Sequence, residues 1–574
     1  MLTLDTLPLP ILLHIIEHFP TSNIAEDTRI VTISVGIEES LKVQGPDVFA
    51  LSACNRTLRH QLLPTIFGDF MLGKSGPGRP SQAYVDKLAW LARESGELLG
   101  CIRQLLMGSL SPEAIKAATA CIAKMPKLEK IQWYAHHPIP PALAEALALA
   151  PSFDTLILPH HGVDSLPSIL PLAGKITRFH LETEREAPGL EETIKLCPDL
   201  PGYKRRSAKP WNERNLATLD EQREAVFRHL PPFLRQASNN LEELSLDGMG
   251  LVAGETPFPW LQRVFDGMVD ENRQFPKFPR LNALWLRKCT FKSLAFKHLL
   301  QNCADSLRVL ELMTSEHGAL QAPSRPLPLL KEFCYFMQDN VRCVDFVNAI
   351  TQNSPLVNLH LNGARPTDMR ELFGPLFRCG DSLRQLRFHG APWNNFFKLD
   401  QVKILVAACP NLIALDLKGS WELEAADLLD ALEPLQELRR LAFDHPWEKP
   451  RTFPFPGPDG RTIRSERNGD FRVISVMGTS IEEEIAKRIR EDIDAVRSKY
   501  KKRFKDSAEQ MPKLERVCWS CTEAVTWTWT FERRLGKRGQ PLIICHDEVD
   551  IPYGKSITGP QAVGGAVYLR EPGM

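Results

Sequence analysis

No stretch of this 574-residue chain reaches the roughly 18 consecutive apolar residues that a bilayer-crossing helix requires, so no membrane span is expected. The start, Met1-Leu-Thr-Leu-Asp5, lacks a basic region, and His14, Glu17 and His18 break the apolar run that follows, so no secretory signal is expected. Neither sign of charge is in excess: 70 lysines and arginines balance 70 aspartates and glutamates, which argues against nucleic acid or an anionic membrane as the main partner. The 13 cysteines are odd in number and scattered through apolar stretches, which suits reduced core thiols in the cytoplasm or nucleus rather than a disulfide framework. Also missing are the Gly-x-x-x-x-Gly-Lys-Ser/Thr loop, the Gly-x-Ser-x-Gly elbow, the His-Glu-x-x-His helix and the dinucleotide fingerprint. No enzyme, cofactor or resident metal is expected.

What is present is a periodic apolar motif. Leu-x-x-Leu-x-Leu, with conservative replacements, begins at Leu128, Phe153, Ile176, Leu241, Leu281, Leu307, Leu330, Leu356, Leu383, Leu412 and Leu438. From 281 through 438 the steps are 26, 23, 26, 27, 29 and 26 residues. A fixed period of this length, with a short alternating strand and then a helix-like stretch, is the pattern of leucine-rich repeats. It predicts an α/β solenoid, a horseshoe, over 126–447. In each unit the last two apolar residues should point inward, because side chains alternate along a strand. The segments from Phe291 to Cys303 and from Leu399 to Pro410 read as the helices between strands, with Cys409 a structural thiol at the turn. The motif lapses between Ile176 and Leu241, where one degenerate repeat around Leu200 and a basic insertion at Lys204-Arg205-Arg206 are expected.

The first seventy residues have a different pattern. Leu7-Pro8-Leu9-Pro10 leads into Ile11, Leu12, Ile15, Ile16 and Phe19 at helical spacing, stopped by Pro20. Leu51, Cys54, Leu58 and Leu62 mark one or two further helices. The order Leu-Pro, helix, Leu51-Ser-Ala-Cys54-Asn-Arg56-Thr-Leu58-Arg59, Leu63-Pro64-Thr-Ile-Phe67 resembles the F-box, a three-helix module, especially in its divergent fungal versions. The Cys409-Pro410-Asn411-Leu412 junction resembles one found in the repeats of many F-box proteins. That resemblance implies an intracellular, non-catalytic substrate receptor of an SCF-type cullin-RING ubiquitin ligase. Leu7, Pro8, Ile11, Leu12, Ile15 and Leu51 would dock on a Skp-family adaptor, and the repeats would hold an unknown protein substrate. The chain departs from the family at Pro10, where many members carry glutamate, and at residues 21–47, read as a surface-loop insertion. A protein-interaction scaffold uncoupled from ubiquitination is the alternative.

Residues 71–125 read as a linker and helical cap. The outward strand positions include Ser245, Asp247, Trp285, Arg287, Glu311, Met313, His360, Asn362, Arg387, His389, Asp416, Lys418 and Asp444. Of these, Trp285, Arg287, Glu311, His360, Asn362, Arg387, His389, Asp416 and Lys418 are the candidate substrate contacts, with Trp285, Arg287 and Arg387 foremost because arginine and tryptophan concentrate at interface hot spots.

In the extension 448–574, a Pro-Gly-rich break precedes a helix carrying Ile481, Ile485, Ile489 and Ile493. Leu514-Glu-Arg-Val517-Cys-Trp519 then repeats the strand motif, and an irregular tail is expected from Asp547. Cys518, Cys521, Cys545 and His546 supply donors of the kind zinc uses, but a strand position and an unusual spacing speak against a site. The pairs His136-His137 and His160-His161 read as exposed loop histidines.

Overall fold

In the computed structural model the described residues are 30–35, 39–44, 68–72, and, with short gaps, 99–182, 211–444 and 505–550. The adaptor-binding candidates Leu7, Pro8, Ile11, Leu12, Ile15 and Leu51 lie outside them, as do the isoleucine helix beyond Ser480 and the basic triplet at 204–206. Among the described residues no helix is long and apolar enough to cross a membrane.

Residues 21–47, expected as a surface loop, contain two strands. β1 (Ile30–Val35) and β2 (Glu39–Gln44) pair antiparallel from Ile30 opposite Gln44 to Val35 opposite Glu39. The β-branched run Ile30-Val31-Thr32-Ile33 favours extended backbone over loop.

The rest of the described chain falls into two compact units dividing at Leu307. In the first, β3 (Asp69–Leu72), β4 (Gln104–Met107), β5 (Lys130–Trp133), β6 (Thr155–Pro159), β7 (Arg178–Glu182), β8 (Glu243–Asp247) and β9 (Ala283–Cys289) lie side by side in chain order, all parallel. Between them run α1 (Pro112–Ile122), α2 (Pro141–Leu149), a 3-10 turn (His160–Ser165), α3 (Leu166–Ile169), α4 (Trp211–Ala237) and α5 (Trp260–Gly267), and α6 (Leu294–Asn302) follows β9. α1 and α2 open with proline at the first helical position, where a missing N–H costs nothing.

The second unit places β10 (Val309–Thr314), β11 (Glu332–Phe336), β12 (Asn358–Ala364), β13 (Gln385–Gly390), β14 (Ala414–Lys418), β15 (Arg440–Asp444) and β16 (Arg516–Thr522) in the same parallel order. Its described helices include α7 (Val344–Thr351), α8 (Leu399–Ala408) and α9 (Ala425–Leu432). β17 (Val525–Leu535) and β18 (Pro541–Asp550) then turn back antiparallel. Asp547 to Asp550, expected in an irregular tail, therefore belong to a strand.

One register rule runs through both units: every strand from β5 to β16 starts two residues after the first apolar residue of its motif. The three motif positions are at most 3% exposed in every repeat from Leu128 to Leu438. Each such side chain contributes on the order of 2 kcal/mol by leaving water, and stacking makes the contribution continuous within a unit. The residue ahead of each strand extends the ladder. Glu129 N donates to Arg103 O, and Asp154 N to Glu129 O. Likewise Val357 N donates to Lys331 O, Arg384 N to Val357 O and Glu515 N to Arg439 O. The last of these links joins β15 to β16 directly, although residues 445–504 intervene in sequence.

Two expectations need correction. The parallel array begins with β3, which straddles the expected boundary at residue 70, and continues with β4, inside the segment read as linker and cap. β7 pairs directly with β8, Arg178 opposite Glu243, which leaves no place in the sheet for a degenerate strand near Leu200. α4 occupies the lapse in the motif, burying Val226, Leu230, Phe233 and Leu234, with the Phe233 ring 4.9 Å from that of Phe179 on β7.

Neighbouring repeats are tied at their turns. Ser306 Oγ donates to Leu281 O at 2.8 Å and Ser382 Oγ to Leu356 O at 2.7 Å, each reaching back one repeat. Cys409 is fully buried at the end of α8, as expected of a structural thiol, and burial pushes its thiol up to about 12.

Candidate functional site

Strand alternation turns the polar motif positions to the face opposite the leucine ladder. Parallel register then sorts them into rows that cross the sheet.

In the first unit one row runs Gln132, Ile157, His180, Ser245, Trp285. The His180 and Trp285 rings approach to 5.9 Å, and Tyr134 donates to Glu182 at 3.0 Å. Burial, aided by Lys130, Arg287 and Arg178, pushes the pKa of His180 down to about 4. The 3.9 Å approach of His180 to Glu243 is therefore no charge pair at neutral pH. The Glu243 carboxyl is itself pushed up by burial, against the pull of Arg178 at 3.5 Å. His160, expected on an exposed loop, is 6% exposed, and its Nε2 lies 2.7 Å from the Asp247 carbonyl oxygen. It packs the 3-10 turn after β6 against the end of β8.

In the second unit the central row runs Glu311, Cys334, His360, Arg387, Asp416, Ala442, Cys518. The row above it runs Met313, Phe336, Asn362, His389, Lys418. The row below runs Glu332, Asn358, Gln385, Ala414, Arg440, Arg516. Cys334 Sγ lies 3.3 Å from His360 Nδ1, the His360 and His389 rings meet edge to face at 4.9 Å, and His389 Nε2 lies 3.0 Å from Asp416 Oδ2.

These contacts place a thiol, two imidazoles and a carboxylate on four adjacent strands, but not as a nucleophilic triad. In such a triad the acid orients the imidazole that faces the nucleophile. Here Asp416 holds His389, and the thiol faces His360. The arrangement suits a fixed, polar recognition surface.

Of the candidate substrate contacts, Trp285 and Arg287 lie in the first unit beside His180, and Glu311, His360, Asn362, Arg387, His389, Asp416 and Lys418 lie in the second. His360, His389 and Asp416 are linked by contacts. Asp416 is only 5% exposed, so it acts by fixing His389 rather than as a free carboxylate. Sequence reasoning missed Cys334 and His180, which hold the same motif position as His360 and Trp285 and could have been found from it. Arg440 and Arg516 were missed because they sit one row below the central positions.

The zinc question is settled for one pair by register. Cys518 lies opposite Thr528, and Cys545 lies opposite Phe531, three residues further along β17. An odd separation along a strand puts Cys518 and Cys545 on opposite faces of the sheet. Among the described residues no group of three or more histidine, cysteine or acidic side chains is placed to hold a metal.

No family model matches the chain, and no curated protein matches it. Among solved structures it is similar to a chain in "Crystal structure of Rad7 and Elc1 complex in yeast", at 13% identity and a TM-score of 0.33, over 70% of this chain and 91% of that one. At that identity and score the likeness carries no argument here. The class defined above is a repeat protein of parallel strands and helices with a polar outward face.

Proposed function

We propose that this chain is a substrate receptor of an SCF-type cullin-RING ubiquitin ligase, with a helical F-box module ahead of a leucine-rich-repeat body. The observation that carries the reading is the pairing of two sequence patterns. An F-box-like Leu-Pro sequence pattern stands ahead of a repeat array whose outward rows are mostly polar in each unit. In this reading Leu7, Pro8, Ile11, Leu12, Ile15 and Leu51 dock on a Skp-family adaptor joined to the cullin, and the outward face holds a protein substrate. The receptor does no chemistry itself; it supplies proximity and orientation to the ligase's transfer module.

The β1–β2 pair favours a second reading. Placed between the first and second expected F-box helices, it supports a plain interaction scaffold in which the repeats bind a partner without the adaptor. A pull-down of purified Skp adaptor separates the two. Retention by the wild type and loss in a Leu7→Ala, Ile11→Ala, Leu12→Ala variant supports the receptor. No retention by folded wild type supports the scaffold.

A further inference from the structure

Three arginines on the outward face of the second unit have side-chain charges with no partner among the described residues. Several arginines elsewhere are matched. Arg280 bonds to Glu242, Arg263 reaches Glu224 at 3.2 Å, and Arg439 reaches Glu515 at 3.5 Å. Arg387, Arg440 and Arg516 differ: among the described residues, no hydrogen bond or ion pair engages any of their side chains. The Nε of Arg516 is closed off from solvent with no hydrogen-bond partner. The nearest acid in register with Arg387 is Asp416, and its carboxylate is already met by His389 at 3.0 Å.

Their placement is also costly. Arg440 and Arg516 are direct register partners on β15 and β16, and like charges opposed across strands are destabilising. Ala414 on β14 lies in register with Arg440, and Ala442 on β15 lies in register with Cys518. These short side chains leave a low floor between Arg387 on one side and the arginine pair on the other. Arg387 and Arg440 stand two strands apart, about 10 Å across the sheet, a span that one or two carboxylates of an extended peptide can bridge.

We propose that Arg387, Arg440 and Arg516, over the floor of Ala414 and Ala442, form a docking surface for an acidic, aspartate- and glutamate-bearing segment of a partner protein. The proposal rests on reading the outward face as a protein-binding surface and is independent of the adaptor. Charge complementarity selects the occupant. Guanidinium groups bind carboxylates through paired donors, and such bonds are stronger once water is excluded. A nucleic acid fits less well, because a run of phosphates needs an extended basic surface and the chain has no net positive charge.

The test is fluorescence anisotropy on the full chain with labelled octaglutamate, octalysine, a neutral glycine-serine octamer and a single-stranded oligonucleotide. Wild type should bind octaglutamate in preference to the other three. An Arg387→Ala, Arg440→Ala, Arg516→Ala variant should weaken that binding by about tenfold or more, the loss of a few charge-assisted bonds. Arg440 is exposed, so Arg440→Glu alone keeps the fold and should still weaken binding severalfold should the triple variant prove unstable. Arg280→Ala, in the first unit, should leave binding unchanged. Failure to bind octaglutamate, binding insensitive to these arginines, or oligonucleotide binding as tight and dependent on the same arginines would each overturn the proposal. The Leu7→Ala, Ile11→Ala, Leu12→Ala variant should bind octaglutamate like wild type, so the loss of adaptor binding and the loss of peptide binding are read separately.

Discussion

His389 on β13 and Asp416 on β14 are offset by one row of the sheet, yet their side chains meet diagonally, Nε2 to Oδ2, at 3.0 Å. Their side chains are 13% and 6% exposed, so the contact lies almost out of water. Removing one partner of a buried charged hydrogen bond costs about 1–3 kcal/mol. His389→Ala should therefore lower the thermal midpoint measurably, and Asp416→Asn less so, because an amide can still accept from the imidazole. A His389→Ala variant that melts with wild type would show the contact to be incidental.

His180 sets an acid-sensitivity of the first unit. Its pKa is pushed from the ordinary 6.5 to about 4, chiefly by burial, so between those values the unfolded chain takes up a proton that the folded chain refuses. The stabilising contribution of neutral His180 is complete above about pH 6.5 and is lost as pH falls toward 4, on the order of 3 kcal/mol in all. In wild type the melting midpoint should fall across that window, and His180→Gln should flatten the fall. An NMR titration placing the His180 midpoint near 6.5 would contradict this.

Gly380 should resist replacement by even the smallest side chain. A Cβ there would run into the backbone carbonyl of Ala408 at the end of α8, and backbone cannot swing aside as a flexible side chain can. Gly380→Ala should destabilise by on the order of 2–3 kcal/mol. Soluble yield and thermal melting read this directly, and an unchanged melt would mean that the two turns are less closely packed than they stand here.

The cysteines should sort by burial under native alkylation. Cys303 and Cys409 are buried, with thiols pushed up to about 12, and should stay unmodified by iodoacetamide. Cys101, Cys334, Cys518 and Cys545, all partly exposed, should react before them. Mass spectrometry of the alkylated protein gives the order, and early labelling of Cys409 would show that α8 opens readily.

The repeat register was legible because it depends on a local rule, apolar residues at fixed offsets, that burial enforces at every step. Phe67, Phe70 and Leu72 obey the same offsets as Leu128, and so do Ile102, Leu105 and Met107, with β3 and β4 starting two residues into each. They went unread because the glycines and prolines at 73–81 between them suggested a linker. β17 announces itself differently, through alternation of threonine and tryptophan from Thr526 to Thr530, a period-2 signal outside the repeat spacing.

At the candidate site, alternation identified which side chains face outward, but not which of them meet. The diagonal reach of His389 to Asp416 and the missing partners of Arg440 depend on rotamers and on neighbouring strands far away in sequence. No pattern within one repeat encodes them.

The link from Glu515 N to Arg439 O makes β15 and β16 successive members of the ladder regardless of what lies between them. The parallel edge at β15 is therefore covered by β16 and, beyond it, by the antiparallel β17 and β18, so the backbone amides and carbonyls of β15 are not left open to an edge-on partner strand.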